Sequence, residues 1–326
     1  MKRETMAVDN GAGWQLALTR FWDPDRLDRS RRPIVMVPGY AMNSFILSFH
    51  PSGPSMISYL VADGLEVWTT DLRAQGGSRR TGRRRLMHIG DPFGLGELAL
   101  DDLPAMIARV RAETASTADG VDAVGCSLGA TMLYAYLAHH TADHGLGSLL
   151  AIGGPLRWES VHPALRLAFS SPRLAGLLPF AGTRALARIA LPVVKRTPGL
   201  LSLYMNAREI DLSNAAALVQ TVEDPVPYIN RQVAHWVRDR DLVVRGVNTT
   251  DALRGLDLDV LVVLANRDGI VPADAARSAR SIIGPERVDV LEVGTDERWY
   301  AHADLFIGPR ADEEVFEPMR TWLRGR

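Results

Sequence analysis

The feature that most constrains this chain is an alternation. Short, largely apolar runs are separated by longer segments with helical spacing. "IVMVP" (Ile34 to Pro38), "LEVWTTD" (Leu65 to Asp71), "VDAVG" (from Val121), "LGSLLAIGG" (Leu146 to Gly154), "LDVLVVLAN" and "RVDVLEVG" read as strands. "PSMISYLVADG" (Pro54 to Gly64), "LDDLPAMIARVRAET" (Leu100 to Thr114), "LGATMLYAYLAHH", "ADAARSARSIIG" and "EEVFEPMRTWLRG" read as helices. A strand apolar at every position is covered on both faces. Strands alternating with helices therefore imply a mostly parallel sheet with helices on both faces. In the helix from Leu100, Asp101 and Asp102 fall near the start, where a negative charge suits the helix dipole. In such sheets the working residues lie beyond the carboxyl ends of the strands.

The alternation stops between Pro155 and Thr250. Helical patterns broken by prolines replace it, as in "PALRLAFSSPRLAGLLPFAGTRALARIALPVV" and "PVPYINRQVAHWVRDRD". The expected division is a core of residues 1–154 and 251–326, with 155–250 inserted after the sixth strand as a helical cap over the active edge. The length of 326 residues accommodates this arrangement.

"VDAVGCSLGA" (Val121 to Ala130) places Gly125, Ser127 and Gly129 in the pattern G-x-S-x-G between a strand and a helix. In that pattern the middle residue sits in a strained turn above the sheet, and the glycines let neighbouring backbone approach. Ser127 is then the nucleophile. Cys126, the sole cysteine, occupies the position before it, its side chain turned towards packing at the strand end, and is also counted among residues near the substrate. The pattern alone is short and recurs by chance at strand–helix junctions. Its position and its partners give it weight.

A serine needs a base, and the base needs an orienting acid. Asp268 follows "LDVLVVLAN". His302 follows "RVDVLEVG" and is the only histidine beyond Asp268. The chain order Ser, Asp, His suits a nucleophile at such a turn. Asp268 also fits a turn beside Gly269, Asp274 fits a helix cap, and Asp304 competes as a carboxylate near His302. An oxyanion formed at the site needs two backbone donors. The N–H groups of Leu128 and Tyr40 are the candidates, with Gly39 permitting a close approach. The bland reading of Pro38-Gly39 is an ordinary turn.

These motifs together resemble the α/β-hydrolase superfamily. "VPGY" matches the oxyanion loop, "EVWTTDLRAQGGS" the next strand and loop, "GCSLG" the nucleophile turn, "LANRDGIVP" the acid and "YAHADLFIG" the histidine. The last two, with "FILSFHPSGPSMISYLVADGLEVW" and "RQVAHWVRDRDL", look most like the lipase and polyhydroxyalkanoate-synthase-like branch. The synthases carry cysteine at the nucleophile position, whereas this chain has Ser127, which favours hydrolysis over polymer synthesis. Pro38 stands where many relatives have histidine.

The resemblance implies a serine hydrolase cleaving a carboxylic ester with an apolar acyl or alcohol part. Acyl transfer or thioester hydrolysis by the same residues is the enzymatic alternative. A non-catalytic binding protein of the same fold is the other. No cofactor is implied, and no histidine pair has a third ligand at metal-binding spacing. The formal charge of −1 gives no field for nucleic acid. His50 either lines the cleft, or packs or faces solvent. "RRTGRRR" (Arg79 to Arg85) either meets an anionic lipid or acidic substrate, or is a solvated loop. Leu165 to Val194 lines an acyl tunnel, touches a membrane surface, or packs within the cap. Neither an apolar leader nor a long uncharged stretch stands out, so the expected location is the cytoplasm.

Overall fold

The structure, a computed structural model, describes residues 1–81, 93–175, 182–197, 201–211, 213 and 215–326. Its frame is one sheet built from β1 (Lys2–Asp9), β2 (Trp14–Trp22), β3 (Ile34–Val37), β4 (Val67–Asp71), β5 (Val121–Cys126), β6 (Leu146–Ile152), β7 (Asp259–Ala265) and β8 (Val288–Val293). The order across the sheet is β1-β2-β4-β3-β5-β6-β7-β8, and the two-residue strand Arg79–Arg80 pairs with β2. The β1–β2 and β2–β4 pairings are antiparallel. From β4 to β8 every pairing is parallel.

The apolar strands divide their side chains between two buried layers with the two-residue period of a pleated strand. Val35, Val37, Ala123, Leu149, Ala151, Val260 and Val262 face one layer. Ile34, Met36, Val124, Leu150, Ile152, Leu261 and Val263 face the other. The first layer is closed by helices α2 (Leu103–Glu113), α3 (Leu128–His139) and α6 (Ala273–Ile283). The second is closed by α1 (Met56–Ala62) and α7 (Glu317–Arg324). Ser55 starts α1 by accepting a hydrogen bond from the Ser58 amide at 3.2 Å.

The start of α2 differs from the sequence expectation. A π-helical turn, Leu98–Asp102, precedes it, and Asp102 does not cap the helix. Its fully buried carboxylate faces Arg73 instead, with contacts of 2.6–3.0 Å, and also accepts from Asn10 Nδ2 at 2.7 Å. An ionised group this deep needs a partner of opposite charge, and the guanidinium outweighs the helix dipole.

Register aligns the working edge. Val37 is opposite Gly125, Cys126 opposite Ile152, Val263 opposite Ile152 and Ala265 opposite Val293. The loops after β3, β5, β6, β7 and β8 therefore leave the sheet on one side. Between β6 and β7 lie the helices Pro163–Ala168, α4 (Thr183–Arg196) and α5 (Pro227–Asp239) and a short hairpin, Val243–Val244 with Val247–Asn248. Ile229, Val233 and Trp236 of α5, with Leu242 and Val244, join the first buried layer.

Candidate active site

Strand β5 ends at Cys126 and α3 begins at Leu128, so the chain turns at Ser127 alone. Ser127 has φ 53° and ψ −122°, a left-handed conformation that a residue with a Cβ seldom adopts. The turn holds because its surroundings over-determine it. The Ser127 amide donates to Ile152 O at 2.7 Å, and Ser127 O accepts from the Ala130 amide at 3.0 Å. A Cβ on Gly125 would lie 2.4 Å from Ala130 Cα, and one on Gly129 would lie 2.4 Å from Val37 O. Both glycines are thus required by backbone packed against backbone. Ser127 is partly exposed, whereas Cys126 is buried in the second layer beside Val124 and Ile152. Burial pushes the Cys126 thiol up, away from the reactive thiolate.

The turn after β3 reaches the same point. A Cβ on Gly39 would sit 3.1 Å from Cys126 O and 3.2 Å from Ser127 Cβ. Tyr40 follows it. Leu128 is the first residue of α3, so its N–H has no partner within the helix. The insertion fastens this turn from outside. The Asn43 amide donates to Thr221 O at 3.0 Å, and the Glu223 amide to Ala41 O at 2.8 Å. The Asn43 side chain donates to Gln220 O at 2.9 Å and to Glu223 Oε1 at 2.6 Å.

Asp268 and His302 meet directly. Asp268 Oδ2 accepts from His302 Nδ1 at 2.6 Å, and their side chains are 1% and 6% exposed. The other carboxylate oxygen accepts from the amides of Ile270 and Val271, each at 2.8 Å. With Nδ1–H committed to the aspartate, Nε2 is the ring nitrogen left to act as a base. The imidazole packs against the end of β6. A Cβ on Gly153, which has φ 58°, would lie 3.0 Å from His302 Cε1, and one on Gly154 would lie 2.7 Å from Ser127 O. Two adjacent glycines therefore separate the histidine from the serine turn. Asp304 points elsewhere. It accepts from the amides of Ala301 at 2.7 Å and Asn206 at 2.9 Å, and burial raises its carboxyl to about 7.

The remaining sequence candidates fall away from this point. His50 Nδ1 accepts from the amides of Ser52 and Gly53, which leaves Nε2–H to donate to Gly308 O at 2.9 Å. Both ring nitrogens serve the fold. Leu167 is 77% exposed and Phe169 packs half-buried on the first layer, while Leu177, Leu178 and Phe180 lie outside the described residues, as does most of the arginine-rich loop. A cavity of about 20 Å³ abuts the turn after β3, lined by Tyr40, Leu128, Phe93, Met132, Val226 and Ile229 among others. A larger one, about 310 Å³, lies between Met205, Asn206, Arg208, Arg267 and Trp299. Among the described residues no three His, Cys, Asp or Glu side chains form a metal cluster, and no helix is long and apolar enough to cross a membrane.

Sequence reasoning missed Tyr204 and its neighbours. The Tyr204 ring lies 6.2 Å from the His302 ring, centre to centre. Its segment has no periodicity, and nothing local marks it.

A family model for the alpha/beta hydrolase fold matches residues 32–295. The chain is an α/β hydrolase. The hydrolase is similar throughout to solved esterases. One from Exiguobacterium antarcticum is 14% identical, with a TM-score of 0.64 over 98% of this chain and 100% of that one. One from Thermogutta terrifontis is 17% identical, with a TM-score of 0.63 over 100% and 99%. One from Rhodococcus sp. is 18% identical, with a TM-score of 0.61 over 99% of each. At these identities the likeness is one of fold. No curated protein matches the sequence of this hydrolase.

Proposed function

We propose that this α/β hydrolase cleaves carboxylic esters through Ser127, His302 and Asp268. The observation that carries the reading is the buried 2.6 Å Asp268–His302 bond at the sheet edge where Ser127 is held in a left-handed turn. Esterases among the structures of like fold support it. Ser127 Oγ attacks the ester carbonyl, and its proton passes to His302 Nε2. Asp268 holds the imidazole in the Nδ1–H tautomer and stabilises the imidazolium. The tetrahedral oxyanion accepts from the N–H groups of Tyr40 and Leu128. Collapse expels the alcohol, which takes the proton from Nε2. Water then attacks the acyl-enzyme by the same route, releasing the acid and restoring Ser127.

The burial of Cys126 supports the serine as nucleophile. The small cavity beside Leu128, about 20 Å³ and partly walled by Phe93, Met132, Val226 and Ile229, favours a short acyl group. The test is labelling of the pure protein with a fluorophosphonate, together with hydrolysis of p-nitrophenyl esters of graded length. Wild type should label at one serine and release p-nitrophenol, and Ser127→Ala should do neither. A protein that folds, fails to label and cleaves no ester would be a non-catalytic binding protein.

A further inference from the structure

We propose that Asp304 is a positioning residue that seats the Leu203–Asn206 strip of the insertion against His302. The inference rests on the reading of His302 as the base.

Asp304 stands two residues beyond His302 and is 3% exposed. Its own amide donates to Ala301 O at 3.2 Å, while its Oδ2 accepts from the Ala301 amide at 2.7 Å. This pair of bonds closes the short turn that carries His302. The same carboxyl also accepts from the Asn206 amide, at 2.9 Å and 3.1 Å to its two oxygens. One buried group thus joins the histidine turn to a strip nearly a hundred residues earlier in the chain.

The strip is fastened on either side of that point. Leu203 O accepts from the Gly269 amide at 3.1 Å, next to Asp268. Tyr204 O accepts from the Ala303 amide at 2.7 Å, next to His302. Asn206 Nδ2 donates to Trp299 O at 3.3 Å. These bonds hold the Tyr204 ring beside the imidazole, 6.2 Å away and inclined by 39°.

A carboxyl is a costly group for a merely structural tie at this depth. The charges that bear on it, Glu209 and Asp268, are acidic, and neither offsets its burial. What it offers is acceptor oxygens that can take two amides from two segments at once. An apolar side chain there would leave the Ala301 and Asn206 N–H groups without an acceptor. The His302 turn and the Tyr204 ring would then no longer share a fixed reference.

The experiment compares Asp304→Ala, Asp304→Asn, Tyr204→Ala and the double variant Asp304→Ala/Tyr204→Ala. Each is read as kcat and KM on a p-nitrophenyl ester and as the rate of fluorophosphonate labelling, after Ser127→Ala has been shown to abolish both in folded protein. That control judges the hydrolase reading separately. Asp304→Ala should lower kcat and the labelling rate about 10- to 100-fold, the scale of a small misplacement in an active site, with KM within about threefold. Asp304→Asn keeps a carbonyl oxygen for the two amides and should restore kcat to within about fivefold of wild type. The double variant should lose no more than the worse single variant, because both act on one element. Wild-type kcat in folded Asp304→Ala, no rescue by asparagine, or losses that multiply in the double variant would each overturn the proposal. If Asp304→Ala does not fold, Tyr204→Ala decides: a roughly tenfold fall in kcat supports the seat, and wild-type kcat rejects it.

Discussion

Ser127 and Cys126 are adjacent in the chain and opposite in situation, one partly exposed at the sheet edge and the other sunk in the core. Cys126→Ala should therefore keep most activity while costing stability on the order of 1 kcal/mol for the lost buried sulfur. Activity and urea midpoints check the two halves separately. Asp268→Asn should lower kcat by about 10⁴, because an amide favours the wrong imidazole tautomer; Asp304→Asn should lower it far less. Steady-state rates on one ester decide, and a larger loss at Asp304 would reassign the acid. Asp304 also makes a prediction about pH. Its folded carboxyl is raised to about 7, above the ordinary value near 4. The native state then holds a proton that the unfolded chain has released. Its contribution is full in acid and is lost as pH rises through 7. The stability of wild type relative to Asp304→Asn should fall between about pH 4 and about pH 7, by at most about 1.4 kcal/mol per pH unit within that window. Denaturant titrations at both pH values measure it. The Ser127 turn and the Asp268–His302 pair were legible as candidates because each residue follows a recognisable strand in a fixed order. Tyr204 and Asn206 were not, because their significance comes from a contact across nearly a hundred residues.

Among the elements, β3 and β5 to β7 stand out in the sequence because they are apolar on both faces, a pattern that few other structures satisfy. The β1–β2 hairpin does not. Most of β1 is exposed, so Lys2, Arg3, Glu4 and Thr5 leave no apolar run to notice. The start of α2 misled for a different reason. Two acids at a helix start suit its dipole, but a guanidinium from the loop after β4 reaches Asp102 first, and no local pattern reports that. The β5–α3 junction gives the element-scale prediction. A Cβ on Gly129 would meet Val37 O at 2.4 Å and Pro38 O at 2.6 Å, both backbone atoms of the oxyanion turn. Gly129→Ala should cost about 3 kcal/mol or more, or prevent folding. Gly255 has φ 70° in open space, so Gly255→Ala should cost only about 1 kcal/mol. Urea midpoints of the two variants test whether crowding, rather than the loss of glycine, is what matters.

For the molecule as a whole, the insertion supplies part of the wall beside Leu128. Val226 and Ile229 from it meet Phe93, Leu128 and Met132 around the cavity beside the turn after β3, and about 20 Å³ is room for a group near the size of one water. The rate should therefore be highest on acetyl esters and fall as the acyl chain lengthens, because each further methylene finds no room beside the turn. A steady rise to octanoyl would show that the acyl chain takes another path. The insertion is also bonded to the catalytic edge at three places: Thr221 and Glu223 to the turn after β3, Leu203 to the acid loop, and Tyr204 and Asn206 to the histidine loop. That has a consequence for anyone building chimeras. An insertion transplanted from another α/β hydrolase would bring new walls to this edge but would lack these stitches. A hybrid that keeps the core residues Ile229, Val233, Trp236, Leu242 and Val244 should fold and turn over slowly on every substrate. A transplant that keeps Leu203–Asn206 and Gln220–Glu223 in place should exchange substrate range as a cassette, with the catalytic rate carried over from the host.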